Sequence, residues 1–307
     1  MAIPTNSFTT YNVATANQRD VSSFVTNVSP TDSPFFSMIG ASSMVARVKE
    51  NVTDTNTAAN KDNALIEGDT FSSSAVVDRT VESNVSQIFS KPFEVTETQD
   101  MVLKYGGVKS EISYQLKKKF TEIATDVEEA FIQGSSATGA TNVARKLSGL
   151  IEKITTNTTT AATNAALWTG TAAAELAAFE DLLNDMFDQA WETGNRMNTV
   201  LVGGNRKRRI SKLTDKVTRN IDAEKKTQIL SINVYDSDFG TMNIVLDRYV
   251  PDVNIIAVDI EMWSTAYLRR FKQQKLAKVS DGTNFVIVGE LTLDGKTEKG
   301  AAIITAS

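Results

Sequence analysis

Seven cations crowd into one short stretch, NRKRRISKLTDKVTR: Arg206, Lys207, Arg208, Arg209, Lys212, Lys216 and Arg219. Side chains of this type at this density hold phosphate or carboxylate through charge and hydrogen bonds. Both partners stay open from the residues alone. Nucleic-acid phosphate would be drawn by counterion release, and acids on a neighbouring subunit are equally available in a chain of net charge −5. No aromatic residues are interleaved with these cations, so base stacking and sequence-specific reading are not expected. A second cluster, Lys117, Lys118 and Lys119, adjoins Glu122, Glu128 and Glu129 on what reads as one helix face. A solvated surface is the favoured reading there and contact with a polyanion the second.

The missing residue types narrow the chemistry further. The sequence has no histidine and no cysteine, which removes the usual zinc sites, a Ser-His-Asp triad, a Cys-His pair and a histidine general base. Paired carboxylates, a Ser-Lys dyad or an oxygen-ligand metal site would remain, and no local spacing supports one. Asp236 and Asp238 in YDSDFG lack the later ligands and closing Glu of a calcium loop, so they read as a hairpin turn. Gly203 and Gly204 follow a predicted strand but have neither Walker nor GxGxxG spacing. The expectation is a non-enzyme, with no catalytic, cofactor-binding or metal-binding residues and no cofactor.

The elements that carry these cations follow from length and pattern. At 307 residues, 41% hydrophobic and 22% charged, the chain is globular and long enough for more than one core. No run approaches the roughly 18 apolar residues of a membrane span. The N-terminus has neither a basic segment nor an apolar stretch, so an intracellular start is expected. Asn-x-Ser/Thr triplets at Asn27, Asn51, Asn84 and Asn157 are given no function in a chain this rich in Ser and Thr. Residues 1–100 hold 6 Lys/Arg against 12 Asp/Glu, which makes the first third acidic and the remainder nearly neutral.

Pro4, Pro30 and Pro34 keep residues 1–42 extended, apart from a short helix expected near Asn17 to Phe24. This is an arm. From Ser43 to Val95 two alternating segments flank a polar stretch, which predicts a long two-stranded hairpin with an elaborate tip. An isolated hairpin is marginal in water, so something outside must hold it. Apolar residues Val108, Ile112, Leu116, Phe120, Ile123, Val127 and Phe131 recur every three or four positions up to Gly134, predicting a helix about 36 Å long. The low-complexity run TTNTTTAATNAALWTGTAAA marks a connection into a second, alpha/beta unit. There a helix from about Ala173 to Trp191 precedes the strand TVLVG and the basic helix, and QILSINVY, TMNIVLDR and NIIAVDI are expected strands. LAKVSD, NFVIVGELTLDG and TEKGAAIITAS read as antiparallel partners joined by DGT and DGK turns.

The segments NVSPTDSPFFSMIG, EGDT, RTVESNVSQIFSK and KSEISYQLKKKFTEIATDVEEAF, then AYLRRF and LAKVSDGTNFVIVGELTLDGKTEKGAAII, occur in an order that resembles the major capsid proteins of tailed bacteriophages. The likeness weakens between about residues 150 and 230. It implies an α+β Hong Kong 97-like capsid protein fold: an N-terminal arm (1–42), an extended loop hairpin (43–95), a peripheral domain with a long spine helix (96–150 and 265–307) and an axial domain (151–264). It implies a structural protein that assembles as hexamers and pentamers into an icosahedral shell around double-stranded DNA, made in the host bacterial cytoplasm and resident in the virion capsid. A compartment shell enclosing cargo protein, and a nucleic-acid-binding module using residues 205–219, are the alternatives. Implied partners are further copies of the chain, a separate scaffolding protein, a portal, a decoration protein and non-specific contact with packaged DNA, with no membrane. Because arm and loop lie across neighbouring subunits in that fold, Phe35, Phe36, Met38, Ile88 and Phe89 become candidate contact residues. Phe35 and Phe36 would bury against the chain's own spine region or an adjacent copy. The basic candidates are Arg206, Lys207, Arg208, Arg209 and Lys117 to Lys119.

Overall fold

The computed structural model describes residues 29–71, 76–102, 110–161, 165–170, 172–213, 233–278 and 281–306. The helix expected at 17–24, most of the arm, Lys216 and Arg219 lie outside the described residues.

The apolar stripe read from sequence forms α3, Glu111–Gln133, capped by Ser110, whose Oγ accepts from the Ser113 N–H. Ile123, Val127, Phe131 and Ile132 on this stripe are buried. The helix stops at Gly134, where the returning chain passes very close: a Cβ on Gly149 would stand 2.6 Å from the Gly134 nitrogen. Only glycine admits that approach.

Beneath α3 lies a four-stranded sheet in the order β1 (Gly40–Ser43), β10 (Trp263–Lys275), β11 (Gly282–Gly295) and β4 (Gln87–Thr96). β10 and β11 run antiparallel on either side of the DGT turn, but the strand expected at LAKVSD lies earlier, at Trp263–Lys275, and TEKGAAIITAS does not pair with β11 across DGK; β1 adds in parallel to β10. The extended hairpin exists in shorter form. β2 (Val48–Thr53) pairs with β3 (Thr80–Val85), from Val48↔Val85 to Thr53↔Thr80. The segment Gln87–Thr96, placed with this hairpin above, instead pairs along its length with β11, from Leu291↔Gln87 to Gly282↔Thr96. Its alternate residues Phe89 and Val95 need a buried face, and the sheet under α3 supplies one where a free hairpin would not.

The second sheet has six strands, in the order β5 (Thr158–Ala161), β12 (Ala301–Ala306), β9 (Asn254–Val258), β6 (Thr199–Val202), β8 (Gly240–Leu246) and β7 (Val234–Ser237). The YDSDFG turn joins β7 and β8 as a hairpin, as expected. β12 was grouped above with the spine-helix unit, but its place between β5 and β9 puts it here. Strand periodicity then divides this sheet between two cores. Val200, Val202, Ile255, Ala257, Ala302 and Ile304 face α6 (Ala173–Glu192), whose Phe179, Leu183, Met186 and Phe187 cover them. Leu201, Ile256, Val258, Ala301 and Ile303 face the other way and join the core around α3. Both faces are covered, which is why these strands read as unbroken apolar runs.

Candidate functional site

The arm reaches the body through α1, Pro34–Met38, with Pro34 in the first turn where a missing N–H costs nothing. The Phe35 and Phe36 N–H groups of that turn have no partners within the helix. Both donate to one carboxylate on the spine helix, to Glu128 Oε1 and Oε2, each at 2.7 Å. The Phe35 ring is fully buried and meets Phe131 edge-on at 6.4 Å, and Phe36 meets the same ring at 5.9 Å. Such ring pairs contribute about 0.5–1.5 kcal/mol each beyond burial. An ion pair, Arg248 Nε to Asp32 Oδ2 at 3.5 Å, adds an exposed tie beside them.

Glu128 was read above as part of a solvated face, but it is fully buried. Its position betrays it only in hindsight: one residue past Val127 and three before Phe131, it borders the apolar stripe. Burial raises its pKa to about 8, opposed by the two N–H donors and reinforced by the charge of Asp247. Asp247 is itself buried and raised, chiefly by desolvation. Its Oδ1 accepts from the Tyr249 N–H at 2.9 Å, and its carboxyl is hydrogen-bonded to that of Glu128. Two carboxyls thus share the seat of the arm, and like charges so placed favour a single retained proton.

Phe35 and Phe89 fill this chain's own core, which removes both from the candidate contact residues. Phe36 packs half-buried against the same core. Met38 and Ile88 remain exposed.

The hairpin is fixed firmly at its base. Asn84 is buried, its Nδ2 donating to the carbonyls of Ser148 and Leu293 and its Oδ1 accepting from the Ser148 N–H. Asn51 Nδ2 donates to Asp294 Oδ1 at 2.6 Å and to the Gly295 carbonyl at 2.8 Å. Beyond the last pair, Thr53↔Thr80, the chain exposes Leu65, Ile66, Phe71 (90%) and Val76 (91%).

The basic stretch forms α7, Gly204–Leu213, and its cations divide. Arg206 and Arg209 point inward with Ile210 and Leu213. The Arg206 guanidinium lies 3.7 Å above the Trp168 ring and that of Arg209 lies 5.3 Å from the Phe179 ring. Arg209 also donates to the Gly170 carbonyl and, at 3.0 Å, to that of Glu175. Burial pushes both guanidinium pKa values down. The basic candidates of this helix are therefore divided between an inner pair and an outer one. Lys207 is half-buried, with Nζ donating to Asn233 Oδ1 and the Ile244 carbonyl, so Arg208 and Lys212 are the exposed pair. On α3, Lys117 and Lys118 are exposed, whereas Lys119 is tied to Glu122 at 2.7 Å.

Comparison with known proteins decides what this arrangement is. The family model described as SU10 major capsid protein matches residues 3–307. The chain belongs to the SU10 major capsid protein family. A curated major capsid protein of Escherichia phage Phieco32 is 32% identical over 115 residues, 38% of this chain, and the match spans 32% of that relative's length. Among solved structures, a Mycobacterium phage Bobi chain aligns with a TM-score of 0.64 at 11% identity, covering 98% of this chain and 99% of that one. The cyanophage A-1(L) capsid aligns at 0.65 and 12%, covering 97% and 99%. An encapsulin from Synechococcus elongatus aligns at 0.59 and 9%, covering 98% and 96%. The fold is therefore Hong Kong 97-like, and the SU10-family chain is a structural subunit of a virion capsid that assembles in multiple copies. In these terms α3 is the spine helix, and β2 with β3 is the root of the extended loop.

Proposed function

We propose that this major capsid protein forms hexamers and pentamers of an icosahedral shell that encloses a phage double-stranded DNA genome and is assembled in the host cytoplasm. We assign it no catalytic role. A separate scaffolding protein, a portal and a decoration protein are its proposed partners. The proposed division is the arm at 1–42, the extended loop within 43–95, a peripheral unit around the spine helix, and an axial unit from 151 that also takes in β12.

One observation carries the reading: a hairpin with a hydrogen-bonded root and a tip that exposes Leu65, Ile66, Phe71 and Val76. A lone protein rarely leaves such side chains together in water, and an adjoining copy of the chain would cover them. Burying each is worth roughly 1.5–3 kcal/mol when complete, and a shell repeats the contact at every subunit. The encapsulin likeness supports a second reading, a compartment shell around cargo protein. The test is to replace residues 54–79 by an Asn-Gly turn, which preserves the Thr53↔Thr80 pairing. Negative-stain microscopy and light scattering should then show a folded chain that no longer forms shells, tubes or rings. Assembly equal to that of the full chain would refute the proposal. Nuclease-protected DNA in purified particles separates a genome shell from a cargo compartment.

A further inference from the structure

A cavity of about 620 Å3 opens beside α7. Among the described residues, four cations line it, Arg206, Arg208, Arg209 and Lys212, against one carboxylate, Asp252. That carboxylate is already engaged: Asn205 Nδ2 donates to Asp252 Oδ2 at 2.6 Å, and Oδ1 sits 3.0 Å from where a Gly203 Cβ would stand. The charge of Asp252 is felt by Arg206 and that of Glu175 by Arg209, so four cations at the cavity face two carboxylates and positive charge remains in excess.

The two inner arginines carry an unmet donor each. Arg206 is 9% exposed and Arg209 3%, and the Nε of each is buried without a hydrogen-bond partner. Arg209 spends its terminal nitrogens on the Gly170 and Glu175 carbonyls. The Arg206 guanidinium stands over the Trp168 ring at 3.7 Å, which holds it in place. Both Nε atoms are closed to solvent, so what the inner arginines offer an acceptor entering the cavity is their fixed positive charge. Arg208 and Lys212, four residues apart on α7, stand exposed at the rim of the same cavity.

We infer that this cavity is an oxyanion site that takes a phosphate group, with Arg206 as the fixed inner donor and Arg208 and Lys212 closing on it from the rim. A single carboxylate would leave most of this charge uncompensated, whereas a phosphate presents several oxygens and can meet a guanidinium fork and an ammonium together. The phosphate comes either from a nucleic-acid backbone or from free phosphate in solution. The first source rests on the proposed role as a genome shell, and the second does not.

The test uses the full chain and the rim variant Arg208→Ala/Lys212→Ala, which leaves the buried arginines in place. Thermal unfolding is followed against inorganic phosphate at constant ionic strength, with chloride as the reference. The native chain should show a saturable, phosphate-specific rise in Tm, and the variant an apparent affinity lower by about tenfold or more, since two charge-assisted contacts are lost. No rise beyond chloride, or the same rise in the variant, overturns the site. A duplex of about 20 base pairs is then titrated over a salt series. Weaker binding by the variant, with a salt slope smaller by about one per lost contact, assigns the site to nucleic acid. Loss of the phosphate response with duplex binding unchanged assigns it to free phosphate. Neither result depends on shell formation, so failure of the assembly proposal would be read separately, by microscopy.

Discussion

Replacing Asp247 by Asn should strengthen the seat of the arm, most of all in mild alkali. Glu128 holds a proton up to about pH 8, against an ordinary 4.5, mainly because it is buried. A carboxyl whose folded pKa is raised binds its proton more tightly in the folded chain than in the unfolded one. Its contribution is fully present below about pH 4.5, declines as pH rises, and is lost once pH passes about 8. At about 1.36 kcal/mol per unit, this window corresponds to a loss of at most about 5 kcal/mol. Part of the rise comes from the Asp247 charge. Asn removes that charge, leaves Oδ1 to accept from the Tyr249 N–H, and puts an amide donor where Asp247 meets Glu128. Once pH passes about 8 the shared proton is gone, and an amide donor in its place restores a buried hydrogen bond worth about 1–3 kcal/mol, a rise of a few degrees in Tm for a chain of this size. Thermal unfolding of both proteins between pH 5 and pH 9 is the assay. The two should lie close together at pH 5, separate as pH climbs toward 8 and keep a constant gap above it. An Asn variant less stable at pH 9, or a gap independent of pH, would refute the idea that the two carboxyls compete for one proton.

Phe35→Ala should cost about 3–5 kcal/mol in denaturant unfolding, because it opens a cavity against Phe131 where the arm docks; a change below 1 kcal/mol would mean that the arm is not seated there in solution. Arg209→Ala should lower stability by about 2–4 kcal/mol through the abandoned Gly170 and Glu175 carbonyls, while Arg208→Ala should stay within about 0.5 kcal/mol of the native chain. Equal effects in paired melts would contradict the division of α7 into an inner and an outer face.

Local pattern carried the elements of this fold and long-range pairing escaped it. The spine helix, strand β11 after the DGT turn and the β7–β8 turn were legible because periodicity and turn residues lie within a few positions of one another. The partner of Gln87–Thr96 was not legible, since an alternating strand next to a hairpin pattern reads as its continuation, and β11 lies far along the chain. β12 was misplaced for the same reason. On α7, the spacing of Arg206, Arg209, Ile210 and Leu213 did describe a single buried face, but arginines were counted as outward by charge. Their aliphatic stems and flat guanidinium groups pack on Trp168 and Phe179 as a hydrophobic residue would. Glu128 escaped for a subtler reason. Its partners are backbone N–H groups of a helix nearly a hundred positions earlier, and no side-chain pattern announces a backbone donor.

The position of β12 also sets an order on folding. Among the described residues β5 pairs with β12 alone, and nearly half of the chain separates the two. β9 is the nearer partner and shares β12 as its neighbour, so β12 must settle beside β9 before β5 has an edge to join. Until then Thr158–Ala161 is a strand without a sheet. Contacts this remote slow folding and lengthen the time for which an open edge could recruit the wrong chain. In a crowded pool of identical subunits that hazard is acute, and the composition of the waiting strand answers it. TTTA offers hydroxyls and methyls in place of the isoleucines of β9 and β12, so the last strand to be placed is also among the least adhesive while it waits.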